Sequence, residues 1–143
     1  MLSAERLATS VSRVTVTMLG LTFRPAIQTA RPLLWRTAML NIPGARPVAI
    51  ALSSDRRGCA ALASAMLGME EDELDCSMID DFLRELVNMT AGQIKSELSL
   101  DQALGLPRVL DGEPIFDASR AWTHYILDSN SISLVVSLSS TLV

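Results

Sequence analysis

Hydrophobic and polar positions separate most cleanly between Asp75 and Leu98. Placed at about 100° per residue, this stretch divides into two arcs. Ile79, Phe82, Leu83, Leu86, Val87, Ile94 and Leu98 fall on a broad apolar arc, and Asp81, Arg84, Glu85, Asn88, Gly92 and Lys95 on a polar one. The pattern predicts one long amphipathic helix. Nearer the start, Leu7, Val11, Val14, Met18 and Leu21 recur at intervals of four and three, which predicts a helix ending near Gly20. The β-branched run Val14–Thr17 argues the other way, for a strand.

Pro25 and Pro32 punctuate the connection that follows. Leu34, Arg36, Ala38, Leu40 and Ile42 then alternate with Trp35, Thr37 and Met39, a strand pattern. Pro43, Gly44 and Pro47 mark a turn, and PVAIALS reads as the second, mostly buried strand of a hairpin. Ser53 or Ser54 is the expected cap of an alanine-rich helix over Asp55 to Leu67, with Gly68 ending it. MEEDELD is an acidic connector whose charge suits the start of the long helix. Gly105, Pro107 and Gly112 predict a loop around the short apolar LPRVL. Ala121 to Leu127 reads as a strand, DSNS as a turn, and Ile132, Leu134, Val136 and Leu138 alternate with Ser133, Val135, Ser137 and Ser139 as the clearest strand of all. STLV extends it.

These elements add up to an α+β fold: a largely antiparallel sheet, the long helix, and two further helices packed beside it. With 143 residues and no visible linker or repeat, residues 1–143 are expected to be a single domain. A hydrophobic share of 49% and a mean hydropathy of +0.31 predict a generous core, and the sheet edges predict a homodimer through one of them.

The net charge of −4 and the lack of any Lys/Arg-rich run argue against a nucleic-acid binder. No apolar run reaches the roughly 18 residues of a membrane span, and the N-terminal stretch lacks the pattern of a secretory signal, so a cytoplasmic location is expected. Cys59 and Cys76 form no CxxC pair and read as buried structural thiols. His124 is the only histidine, so a zinc site or a nucleophilic triad has little to draw on.

The candidate chemistry lies on the polar arc. Glu85 and Asn88 are three apart and neighbours on a helix surface. Gly92 extends the stripe, although glycine inside a helix costs about 1 kcal/mol relative to alanine. Its presence points to something that approaches the backbone closely. The alternative is an ordinary solvated face with one poor helix former.

Asp81, Glu85 and Asn88 also fit a family pattern: Asp or Ser, three residues, Glu, two residues, Asn, and a later Pro. ELVNMTAGQIKSEL adds Gly92 and Lys95, LPRVLDG adds Leu106, Pro107, Val109 and Gly112, and the strand and alanine-rich helix from Val48 to Met69 match upstream. The chain therefore resembles the CheC/CheX family of bacterial chemotaxis phosphatases. The motif occurs once, which is similar to CheX rather than to the two-site CheC and implies one active surface. The spacing from Asn88 to Pro107 departs from the family by being short.

The resemblance implies a CheX-like fold and a protein substrate, a CheY-like response regulator phosphorylated on an aspartate. It implies that Asn88 orients the attacking water and that Glu85 pairs with a lysine of the regulator. Gly92 would keep the surface low. Asp81 would be a flanking contact or a plain surface residue, and Lys95 a partner contact or part of a solvated face. Mg²⁺ would be held by the regulator, with no cofactor or metal on this chain. The alternative is a CheX-like module that binds a partner without hydrolysing anything.

Overall fold

The computed structural model describes residues 2–27, 33–113 and 121–140. The first helix, α1 (Ala4–Leu19), opens on the Ser3 hydroxyl, which accepts from the Arg6 amide, and closes on Gly20 in the left-handed region. Its period of four and three prevails over the β-branched run. Leu7, Val11 and Val14 are buried, and the Thr15 hydroxyl donates to the Leu21 carbonyl at 2.7 Å.

Six strands follow: β1 (Arg24–Pro25), β2 (Arg36–Ile42), β3 (Val48–Ser54), β4 (Arg108–Asp111), β5 (Ala121–Ser129) and β6 (Ile132–Ser140). They form one sheet in the order β1-β5-β6-β3-β2-β4, every pair antiparallel. Two more helices, α2 (Arg56–Leu67) and α3 (Cys76–Glu97), pack with α1 against the sheet, so the fold is α+β. Side chains on one sheet face meet the helices. Leu40 pairs with Ile50, Leu52 with Val136, and Leu127 with Leu134, all buried in the core. Leu7, Leu62, Leu86 and Ile94 close it from the helices. Each such side chain contributes about 1.5–3 kcal/mol on burial.

Several sequence expectations change. The cap of α2 is Asp55, whose carboxylate accepts from the Gly58 amide at 2.7 Å, and not Ser53 or Ser54. Ser54 still belongs to β3, where its hydroxyl donates to the Ser133 carbonyl. The LPRVL stretch is not all loop. Arg108–Asp111 pairs with β2, and Arg24–Pro25 pairs with β5 inside the predicted Pro25 connection. Strand β5 runs on through Ser129 and leaves a turn of only Asn130 and Ser131. On the serine face of β6, Ser137 and Ser139 are buried and Ser133 is half-buried, and Ser137 meets the His124 ring at 2.7 Å. The extension of β6 reaches Ser140, while residues 141–143 and Pro32 lie outside the described residues.

Candidate functional site: the outer face of the long helix

Helix α3 takes its bounds from two local signals. The Asp75 carboxylate accepts from the Met78 amide at 2.9 Å and caps the start. At the far end the Ser99 and Leu100 amides donate back to the Ser96 and Lys95 carbonyls, with Ser99 left-handed at φ 55°. That double bond is a Schellman closure, with serine where glycine is usual. Between these ends Ile79, Phe82, Leu83, Leu86, Val87, Thr90, Ala91 and Ile94 are buried. Burial of this arc dictates which way the polar arc points.

An ion pair that sequence reasoning did not find fastens the first half of the helix. The Arg36 guanidinium lies 3.2 Å from Asp80 of α3 and 3.0 Å from Asp111 of β4, and it stacks 3.9 Å over the Trp35 ring. The residues are 44 and 75 apart in the chain, so no local signal could have found them. At the other end, the connection after α3 is strapped to the β2–β3 turn. Gln102 accepts from the Arg46 amide at 2.9 Å and donates to the Arg46 carbonyl at 3.0 Å. The Gly105 amide donates to the Asn41 carbonyl at 2.7 Å, and a Cβ on Gly105 would meet that oxygen at 2.6 Å. The short spacing between Asn88 and Pro107 is thus a tightly held connection.

The outer face carries every residue singled out from the sequence. Glu85 is exposed and Asn88 half-buried, one turn apart. Among the described residues neither makes a hydrogen bond or an ion pair. Asp81 is exposed but engaged, its carboxylate 2.7 Å from Arg84. Such an open (i, i+3) pair is worth little and exchanges readily for another partner. Gly92 is half-buried, yet a Cβ built there meets nothing within 4 Å. Nothing in the described chain therefore requires a glycine at this position. Lys95 is half-buried in the last turn and has no ion pair among the described residues. Met78 and Met89, each 38% exposed, border the stripe on one side; sequence reasoning passed them over because they lie between the two arcs.

The two cysteines separate. Cys59 is buried, and burial pushes its thiol up to about 12, with Asp55 adding to the effect. Cys76 opens α3 and is exposed, which corrects the expectation of two buried thiols; the first turn of a capped helix turns that position outward. Clefts of about 450 Å³ beside Arg46 and Gln102, and about 280 Å³ beside Arg6 and Arg13, include no residue of the stripe. No group of three or more His, Cys, Asp or Glu side chains among the described residues could hold a metal ion, and no described helix is long and apolar enough to cross a membrane.

The family model described as chemotaxis phosphatase CheX matches residues 36–124. No curated protein matches the chain. Among solved structures, CheX from Vibrio vulnificus aligns with a TM-score of 0.77 at 18% identity, covering 94% of this chain and 95% of that one. CheX from Desulfovibrio desulfuricans gives 0.74 at 22%, again over 94% and 95%. The CheX–CheY–BeF₃–Mg²⁺ complex from Borrelia burgdorferi gives 0.76 at 17%, over 94% of each chain. At these identities the structural likeness shows the fold, and the family model, which spans more than half the chain, shows the lineage. The chain belongs to the CheX family.

Proposed function

We propose that this protein dephosphorylates a CheY-like response regulator carrying an aspartyl phosphate, using Asn88 to align the hydrolytic water and Glu85 to hold the regulator in register. One observation supports this reading above the others. An amide and a carboxylate stand one turn apart on the outer face of a rigidly packed helix, and neither is engaged within the described chain. Small-molecule sites are concave. An outward helix face instead suits insertion into a partner's site.

The chemistry asks little of the chain beyond position. An acyl phosphate is already activated, and phosphoryl transfer passes through a loose transition state, so a water held in line carries most of the catalysis. The Asn88 amide can accept a hydrogen bond from that water and donate another, and it stays neutral beside the phosphoryl oxygens. A carboxylate at the same place would repel them. Glu85 can pair with a lysine of the regulator. Asp81 flanks the contact, Gly92 lets the regulator approach, and Mg²⁺ belongs to the regulator. The CheX of Borrelia burgdorferi has been captured with CheY, BeF₃ and Mg²⁺, which supports the choice of partner. A homodimer would use one of the sheet edges, β1 or β4.

Titration of the purified protein against phosphorylated CheY tests the reading. Phosphate release that rises with protein concentration is the expected result; binding without release would favour a non-catalytic module. Glu85→Ala is expected to raise KM by about tenfold with kcat changed less than about threefold, as a lost docking pair does. A loss confined to kcat would remove Glu85 from the docking role.

A further inference from the structure

The outer face of α3 changes sign along its length. Its first half follows the acidic Glu70–Glu73 segment and presents Glu85, and its last turn presents Lys95. Seven residues is just short of two helical turns, so Lys95 lies about 20° from Asn88 around the axis and about 10 Å further along it. Gly92 stands between them and leaves the surface open there. The acid nearest to Lys95 in sequence, Glu97, is taken by Arg6 and Arg13 of α1. In a chain of net charge −4, Lys95 is thus a half-buried cation that the described residues leave uncompensated. A lysine in a last turn gains modestly from the helix dipole. That gain does not explain why a surface without a Cβ lies between it and the amide.

We infer that Lys95 is a second docking anchor, opposite in sign to Glu85, which takes a carboxylate at the rim of the regulator's phosphorylation site. This inference rests on the phosphatase reading. Its warrant is charge complementarity. Mg²⁺ is bound through carboxylates and phosphate oxygens, so a receiver domain that holds it beside a phosphorylated aspartate carries acidic side chains there. With Asn88 at the phosphoryl group, a cation about 10 Å further along α3 falls outside it, at the rim, where an acidic side chain is the complement. With Glu85 drawn to a cation at one end and Lys95 to an anion at the other, the regulator can seat in one direction only. Rim charges of this type act on the association rate and on its salt dependence more than on the chemical step.

The test compares wild type, Lys95→Glu and Lys95→Met, using CheY proteins of the source organism loaded with beryllofluoride and Mg²⁺ for binding and phosphorylated for turnover. Lys95→Glu is expected to raise Kd by about tenfold, mostly through slower association, and Lys95→Met by about threefold. In both variants binding becomes less sensitive to salt, and turnover at saturation stays within about twofold of wild type. Lys95→Met keeps the aliphatic stem and controls for packing. Unchanged Kd and salt dependence, with only the melting temperature lowered, would overturn the anchor and leave Lys95 a helix-terminal charge, while wild-type turnover would still stand for the phosphatase reading. If wild type binds but releases no phosphate, the phosphatase reading falls, and the Kd contrast still decides the anchor. If wild type binds none of these regulators, both fall.

Discussion

Two residues from the proposed catalytic amide, Thr90 buries a hydroxyl that has no hydrogen-bond partner among the described residues. An unsatisfied buried polar group of this kind costs about 1–3 kcal/mol. Valine has nearly the same shape and a similar helix propensity. Thr90→Val is therefore expected to stabilise the fold by about 1–2 kcal/mol in denaturant titration, with Asn88 undisturbed; a destabilised variant would show that the hydroxyl is satisfied. The thiols carry a second prediction. The Cys59 thiol is raised from its ordinary 9.0 to about 12 by burial, so the folded state holds its proton more tightly than the unfolded chain does. Its contribution to stability is complete below pH 9.0 and is lost as the pH climbs from there towards about 12. Cys59→Ala should flatten that alkaline decline in pH-dependent melting. At this scale the sequence carried identity and spacing: Glu85 and Asn88 could be picked out because helical periodicity makes them neighbours. It could not carry occupancy. That Asp81 is engaged by Arg84 while Glu85 and Asn88 are not depends on rotamers. That Cys76 is exposed depends on where a helix begins.

Helix α3 was legible nearly to the residue because its apolar and polar arcs run unbroken to Leu98, where the period stops, and the structure adds the Asp75 cap at its start. Strands β1 and β4 were not. Each is short, each has a proline within or just before it, and each is a strand only because a distant segment pairs with it, as Arg108 does with Met39. Gly92 gives the sharpest prediction for an element. A Cβ at this position meets nothing within 4 Å, so Gly92→Ala should raise helix stability by about 1 kcal/mol. Gly92→Leu should still fold yet lower kcat/KM for the regulator by about tenfold or more, because in the proposed docking mode the added side chain stands where the regulator would sit. Thermal melting with turnover assays on both variants checks the pair. A Gly92→Leu protein of wild-type activity would mean that the glycine is merely a poor helix former.

Across the whole molecule, the sheet explains why one helix can be committed to a partner. Strands β2, β3 and β4 pack beneath the inner arc of α3, with α1 and α2 on its flanks. The Arg36 cluster fastens the start of that helix, and the Gln102 strap holds the chain that leaves its end. A face held at both ends can insert into another protein with little further ordering. The fold class followed from the sequence, since two hydrophobic periods identify helices and strands. The strand order did not, because it depends on pairings such as Val48 with Ser140, which no local pattern encodes. The proposed catalysis turns on one amide. Its most direct test is single-turnover dephosphorylation of phosphorylated CheY at saturating protein, wild type against Asn88→Ala, with binding measured alongside. The expected rate is lower by about a hundred- to a thousandfold at nearly unchanged Kd and melting temperature; an Asn88→Ala protein that releases phosphate as fast as wild type would remove the amide from the chemistry.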